Sequence, residues 1–369
     1  MAKKLDSEPA VFFVSTPFHL ILSTILALEE KKERTCILIF IDQPIDHKNI
    51  YFDVMMNIKC SPFKYCYQFN SISSSSLKKF SYRRKVLKKI KDLIADIKPG
   101  AIYTGNDRRI EFIRGYTQMK SQNYNSKIIY VDDGVLSYVI HKHAYESIVE
   151  ISLKKLYYGF WYKRQQVVGG LDSIDKAYLA FPEYAHHKLK EKKLNPIKKD
   201  AFFSIELELI INDIFNCFDY KKNEISQIDL IHILPHRKEL KQFKSFYEKL
   251  IMSISKIASD HFNVAVKHHP LEKDNLYSNL NSKVKTIPAD LAFEYIVPIL
   301  KKGAIIVGDV STVLLTTKWI RPDLNVISIK NELDPRQKII SSLAKYLNIK
   351  NFENIDSFIK NHFIETNKW

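Results

Sequence analysis

What most constrains the fold of this chain is a pattern that recurs along it: a short run of β-forming residues, then polar residues, then helix-compatible sequence. Val11 to Val14 (VFFV) passes through Ser15-Thr16-Pro17 into an apolar helical stretch ending near Glu30, and Thr35 to Ile41 (TCILIFI) follows as a second strand. Strand, helix, strand at this spacing is a right-handed βαβ unit and calls for a parallel sheet. Ala101 to Thr104 (AIYT) ends in Gly105-Asn106-Asp107, and Ile128 to Val131 (IIYV) ends in Asp132-Asp133-Gly134. Four consecutive β-formers bounded by polar residues fit a strand buried on both faces.

The pattern restarts at Asp229. Leu230 to Leu234 leads into Pro235-His236-Arg237, and Phe262 to Val266 into Lys267-His268-His269-Pro270. Val284 to Ile287 leads into Pro288-Ala289-Asp290 and a helix bearing Glu294, and Ala304 to Val307 into Gly308-Asp309-Val310-Ser311-Thr312. Polar residues therefore gather at strand C-termini in both halves, the edge at which open α/β sheets bind ligands. Residues 140–222 read as mostly helical. Their cluster Tyr157, Tyr158, Phe160, Trp161 and Tyr162 fits an acceptor surface or, at helical spacing, part of the core. Residues 218–228 (FDYKKNEISQI) read as a polar linker. The expected architecture is α/β of the GT-B kind, two Rossmann-like domains facing across a cleft. The boundary is placed between residues 222 and 223, with the last helix a candidate to pack back onto the first domain.

Composition narrows the class. At 369 residues the chain is long enough for two cores, and 46% hydrophobic with 12% aromatic residues excludes general disorder. None of the nine glycines forms G-x-G-x-x-G or G-x-x-x-x-G-K-[ST], so neither a dinucleotide fingerprint nor a P-loop is present. Four scattered cysteines lack metal-ligand spacing and fit a reducing compartment. A net charge of +16 points to a polyanion: nucleic acid, an anionic membrane surface or an acidic polymer. The charge concentrates after a serine run, where Lys78, Lys79, Arg83, Arg84, Lys85, Lys88, Lys89 and Lys91 alternate with apolar residues as a basic amphipathic helix. The stretch Ala10 to Leu28 is too interrupted by polar residues to span a bilayer, and it lacks a signal-peptidase site. A cytoplasmic protein, peripheral on the inner membrane at most, is expected.

The strand ends carry the candidate chemistry. Adjacent strand residues point to opposite sides, so one of Asp132 and Asp133 faces a ligand, and either fits a general base. His19, at a helix start after the first strand, and Asn106 fit substrate binding, as do the basic Arg83, Arg84 and Lys85 for an anionic acceptor. In the second half Ser311 and Thr312 open a helix, where hydroxyls and unpaired backbone N–H groups suit a phosphate. His269 is held extended by Pro270, and Lys267 adds charge. His236 ends a neighbouring strand, and Glu294 fits ribose hydroxyls. No D-x-D triplet is present to hold a metal on a diphosphate. A single leaving phosphate neutralised by His, Lys and hydroxyls points to a CMP-activated sugar, with no metal and no cofactor.

Asp132-Asp133-Gly134, His269-Pro270 and Ser311-Thr312, in that order, resemble the D/E-D/E-G, H-P and paired Ser/Thr motifs of the bacterial polysialyltransferases and, more loosely, of other bacterial sialyltransferases. The resemblance implies that an acidic residue of the first motif is the base, with a lean toward Asp132. It also implies that His269, Ser311 and Thr312 bind the CMP phosphate. The chain is short for that family, so a trimmed N-terminus is one expectation. The activity expected is inverting, metal-independent transfer from CMP-sialic acid to an oligo- or polysialic acid acceptor in capsule synthesis, near the capsule export machinery. The alternatives are a single-addition lipooligosaccharide sialyltransferase, a glycerophosphotransferase using CDP-glycerol, and a basic nucleic-acid- or membrane-binding protein. No nucleic-acid motif supports the last.

Overall fold

The computed structural model describes residues 7–44, 49–72, 76–123, 125–140, 147–163, 167–259, 261–270, 281–309, 311–329, 336–352 and 355–360. The chain divides into two compact units, Met1–Ile214 and Phe215–Trp369.

The first unit is a seven-stranded parallel sheet in the order β3-β2-β1-β4-β5-β6-β7. Its strands are β1 Ser7–Val14, β2 Arg34–Pro44, β3 Phe63–Ile72, β4 Ala101–Thr104, β5 Lys127–Val131, β6 Lys176–Leu179 and β7 Lys193–Pro196. Helices α1 (Pro17–Glu30), α2 (Ile50–Asn57), α3 (Ser76–Ile97) and α4 (Ile110–Gln122) join the first five strands in turn. Helix α1 begins where Thr16 accepts from the His19 amide at 3.2 Å and Pro17 supplies a pre-set φ, and nine of its residues are buried. Helix α3 turns Val86, Ile90 and Ile94 into the core, leaving Arg84, Lys85, Lys88, Lys89 and Lys91 exposed. Full burial of such aliphatic side chains stabilises by about 1.5–3 kcal/mol each, so a charge at Ile90 would detach the helix.

The second unit is a six-stranded parallel sheet in the order β10-β9-β8-β11-β12-β13. Here β8 is Leu230–Ile233, β9 Val264–Lys267, β10 Lys285–Ile287, β11 Ile305–Gly308, β12 Asn325–Ile329 and β13 Lys350–Phe352. Both sheets reverse direction of growth beside their first strand, between β1 and β4 and between β8 and β11. Those are the switch points where the loops diverge and ligands bind.

Three expectations are corrected. Residues 140–222 carry β6 and β7 besides helix, and β3, β12 and β13 also escaped the sequence pattern. β7 (KLNP) and β13 (KNF) are edge strands whose polar residues face solvent, which suppresses the apolar run that marks a buried strand. Residues 218–228 are not a bare linker, because Lys222–Ile225 is helical and Ile225 and Ile228 are fully buried. The described last helix, Ile355–Ile359, packs within its own unit through the fully buried Phe358 and a Lys249–Asp356 ion pair at 2.7 Å.

Candidate active site

In the first unit the switch point gathers side chains from three adjacent strand ends. The register pairs Phe13 with Thr104 and Thr104 with Tyr130, so the residues after β1, β4 and β5 leave the sheet at one level. From β1 come Ser15 and His19, from β4 Asn106, and from β5 Asp132 and Asp133. The two aspartates do opposite things.

Asp132 turns inward. Its carboxylate accepts from the Gly134 amide, the Ser137 hydroxyl and the Ala180 amide, each at 2.8 Å, and from the Tyr138 hydroxyl. Only 1% of Asp132 is exposed. Burial pushes its carboxyl up from 3.8 to about 6 against the pull of those donors. Ser137 also accepts from the Asp133 amide at 2.9 Å and meets the Tyr130 hydroxyl at 3.0 Å. The turn bends at Gly134, whose φ of 68° lies in the left-handed region that a β-carbon disfavours. Asp132 thus folds the loop that presents its neighbour, and the lean toward Asp132 as the reacting carboxylate does not fit this geometry.

Asp133 points the other way and keeps 12% of its side chain exposed. Its Oδ1 lies 2.5 Å from Nε2 of His19, and its Oδ2 accepts from Asn106 at 2.9 Å. The other ring nitrogen of His19, Nδ1, is 3.1 Å from Ser15 Oγ. The ring is 2% exposed and lies against Gly105, where an added β-carbon would come within 2.2 Å of it. His19 and Asn106, expected to bind acceptor, both bond the Asp133 carboxylate.

The basic acceptor candidates separate as well. Arg83 bonds Glu111, itself 0% exposed, at 3.2 Å and approaches Asp42 at 3.6 Å. It is a half-buried counter-ion to Glu111, whereas Arg84 and Lys85 are exposed. Asp107, which the sequence placed only in the strand-end loop Gly105-Asn106-Asp107, is fully buried and accepts from the Gly169 and Leu171 amides at 2.8 Å each. Burial pushes its carboxyl up to about 6. No local motif announces it, because its partners lie about sixty residues away.

In the second unit β9, β8 and β11 are adjacent, and Lys267, Ile233 and Gly308 stand at one level. The His236 and His269 rings meet edge to face with centroids 4.9 Å apart. His236 also caps the helix Arg237–Gln242, accepting from the Lys238 amide at 3.0 Å. Pro270 follows His269 at the exposed surface. Ser311 caps the helix Thr312–Ile320, its Oγ accepting from Leu314 at 3.4 Å, and Ser311 and Thr312 are half-buried. Lys267 is 5% exposed and donates to the backbone carbonyls of His268 and Ala289 at 2.9 and 2.7 Å. Burial lowers its ammonium to about 8, with Glu294 and Asp290 opposing. Burial likewise raises the Glu294 carboxyl. Lys267 therefore ties two loops together, and its expected phosphate contact would have to compete with two carbonyls.

Two parallel Rossmann-like units, each with a polar cluster at its switch point, define a glycosyltransferase of the GT-B fold. A family model for alpha-2,8-polysialyltransferase (POLYST) matches residues 10–330, and the chain belongs to that family. No curated protein matches it. Among solved structures, the alpha/beta-galactoside alpha-2,3-sialyltransferase of Photobacterium phosphoreum aligns at a TM-score of 0.57 with 13% identity, covering 93% of this chain and 98% of that one. The 2,6-sialyltransferase of Photobacterium sp. JT-ISH-224, solved with CMP and lactose, aligns at 0.53 with 12% identity over 95% and 80%. A Listeria monocytogenes protein described as a UDP-N-acetylglucosamine 2-epimerase aligns at 0.54 with 13% identity over 90% and 82%. At such identities the likeness is one of fold.

Proposed function

We propose that this sialyltransferase-family enzyme moves sialic acid, with inversion and without a metal, from CMP-sialic acid to the non-reducing end of an oligo- or polysialic acid chain. The observation that carries the reading is Asp133: a carboxylate at the switch point, open on one side and fixed by His19 and Asn106 on the others. Asp133 takes the proton of the acceptor hydroxyl as that oxygen bonds to the anomeric carbon. The bond from that carbon to the CMP phosphate breaks on the opposite face. His269, braced by His236, donates a hydrogen bond to the departing phosphate, and Ser311, Thr312 and the helix N-terminus behind them stabilise its charge. Glu294 is assigned to the ribose. CMP as the leaving group is supported by the motif order and by the CMP bound to the Photobacterium 2,6-enzyme. The acceptor is supported by the family and by the exposed Arg84 and Lys85 of α3, a partner surface for a polymer with one charge per sugar.

The test is incubation with CMP-sialic acid and a fluorescent oligosialic acid primer in EDTA, read by anion exchange. A ladder of longer products is expected from the wild type and none from Asp133→Asn or His269→Ala. Addition only to a galactose-terminated acceptor would replace the reading with single-addition transfer. Turnover of CDP-glycerol instead would overturn it.

A further inference from the structure

Helix α5 (Ile148–Tyr158) is built inside out. A capping box starts it, the Ser147 hydroxyl accepting from the Glu150 amide while Glu150 accepts from the Ser147 amide, so the helix is a designed element and not a frayed loop. None of its residues is buried. At about 100° per residue, Ile148, Leu156, Val149, Leu153 and Tyr157 fall within one half of its circumference. Their exposures are 83%, 82%, 67%, 60% and 39%, and Phe160 just past the end is 89% exposed. Lys154, Lys155 and Tyr158 occupy the other half. That inner side faces α3: Tyr158 lies against Arg83, and Tyr158 and Trp161 pack on a small cluster of Leu87, Ile110 and Tyr162. Through that inner side α5 adjoins the helix that exposes Arg84, Lys85, Lys88, Lys89 and Lys91.

We propose that α5 is an interfacial helix that seats this protein on an anionic lipid surface, its apolar arc in the headgroup boundary and Lys88, Lys89 and Lys91 of α3 on lipid phosphates. A helix of eleven residues is about 16 Å long and cannot cross a bilayer, but a large apolar face bordered by lysines is the pattern of helices that lie in one. Charge selects the occupant. A second copy of this chain would bring another +16 toward the same cations, and a polyanionic glycan would satisfy the cations while leaving the apolar arc in water. An anionic bilayer answers both, each basic residue near its surface adding about fivefold in affinity.

The full chain is floated with vesicles of phosphatidylcholine alone or mixed equally with phosphatidylglycerol. Wild type is expected to float with the mixed vesicles and weakly or not at all with phosphatidylcholine. Leu153→Ser/Leu156→Ser should lose at least about a hundredfold in partitioning, with an unchanged melting curve and unchanged transfer to a soluble primer. Lys88→Glu/Lys89→Glu should lose binding chiefly at low salt. Wild type that stays with the buffer overturns the proposal. So does a serine pair that floats like wild type, or one that converts a wild-type dimer to monomer, which would make the arc a protein interface.

Discussion

Asp132→Asn and Asp133→Asn differ by one position and are expected to differ in kind. Asparagine at 132 keeps one acceptor oxygen but turns its amide nitrogen toward one side of the old carboxylate, either Gly134 N–H and Ser137 or Ala180 N–H and Tyr138. The hydroxyls can rotate; the backbone amide cannot, and a stranded buried donor costs about 1–3 kcal/mol. Against this, the substitution removes a buried charge. A carboxyl raised from 3.8 to about 6 corresponds to about 3 kcal/mol of disfavour toward the ionised form at neutral pH. The two effects offset, so Asp132→Asn should unfold within about 2 kcal/mol of wild type at pH 7 and retain transfer within about tenfold. Asp133→Asn removes the proton acceptor and should lose about a hundred- to ten-thousandfold in kcat with an unchanged melt. The pH dependence supplies an independent check. The raised carboxyl holds its proton in the folded state where the unfolded chain has lost it. Its contribution therefore lowers stability as pH rises from about 4 to about 6 and should vanish in Asp132→Asn. Urea unfolding and initial rates on a soluble primer measure both. A dead Asp132→Asn with a wild-type melt, beside an active Asp133→Asn, would refute the assignment.

Gly105→Ala should cost about 1–3 kcal/mol and at least about a hundredfold in rate, because the new methyl comes within 2.2 Å of the His19 ring that positions Asp133; comparing melt with kcat separates the two losses. Arg83→Ala leaves Glu111 buried without its guanidinium, at about 3 kcal/mol or roughly 6–12 °C in melting temperature. By contrast, Arg84→Ala and Lys85→Ala should stay within about 0.5 kcal/mol and act only on acceptor KM, more at low salt than at high. His232, fully buried and lowered from 6.5 to about 3 by burial and by His268, should make the second unit lose stability as pH falls from about 6.5 toward 3. Within about pH 4 to 6 the raised carboxyls of Asp132 and Asp107 slope the other way in the first unit. Fluorescence of Trp161 and Trp319 in variants keeping one tryptophan each would follow the two units separately.

The sequence disclosed what is periodic and local. β4 was read residue for residue, and the other strands beside each switch point to within a few positions, because a strand covered on both faces must be apolar throughout; the interior β6 and β12 were not read. The edge strands β7 and β13 went unread for the same physical reason inverted: half of each faces water. Motif positions were legible because strand ends in a parallel sheet share one edge, whatever the loop lengths. Which member of a pair reacts was not, because that depends on partners far off in the chain. Asp132 is claimed by Ala180, forty-eight residues on, and Asp133 by His19, 114 residues back. A carboxylate ringed by four donors is a structural group however reactive its motif looks. One with a face left open beside a histidine is the group the proposed mechanism uses. Arg83 and Arg84 repeat the lesson on α3: neighbours in a basic run, one pairs with the buried Glu111 and the other meets solvent. In this chain, partners far off in the sequence, and not residue type, separate the side chains that hold the loops from those the proposed mechanism uses.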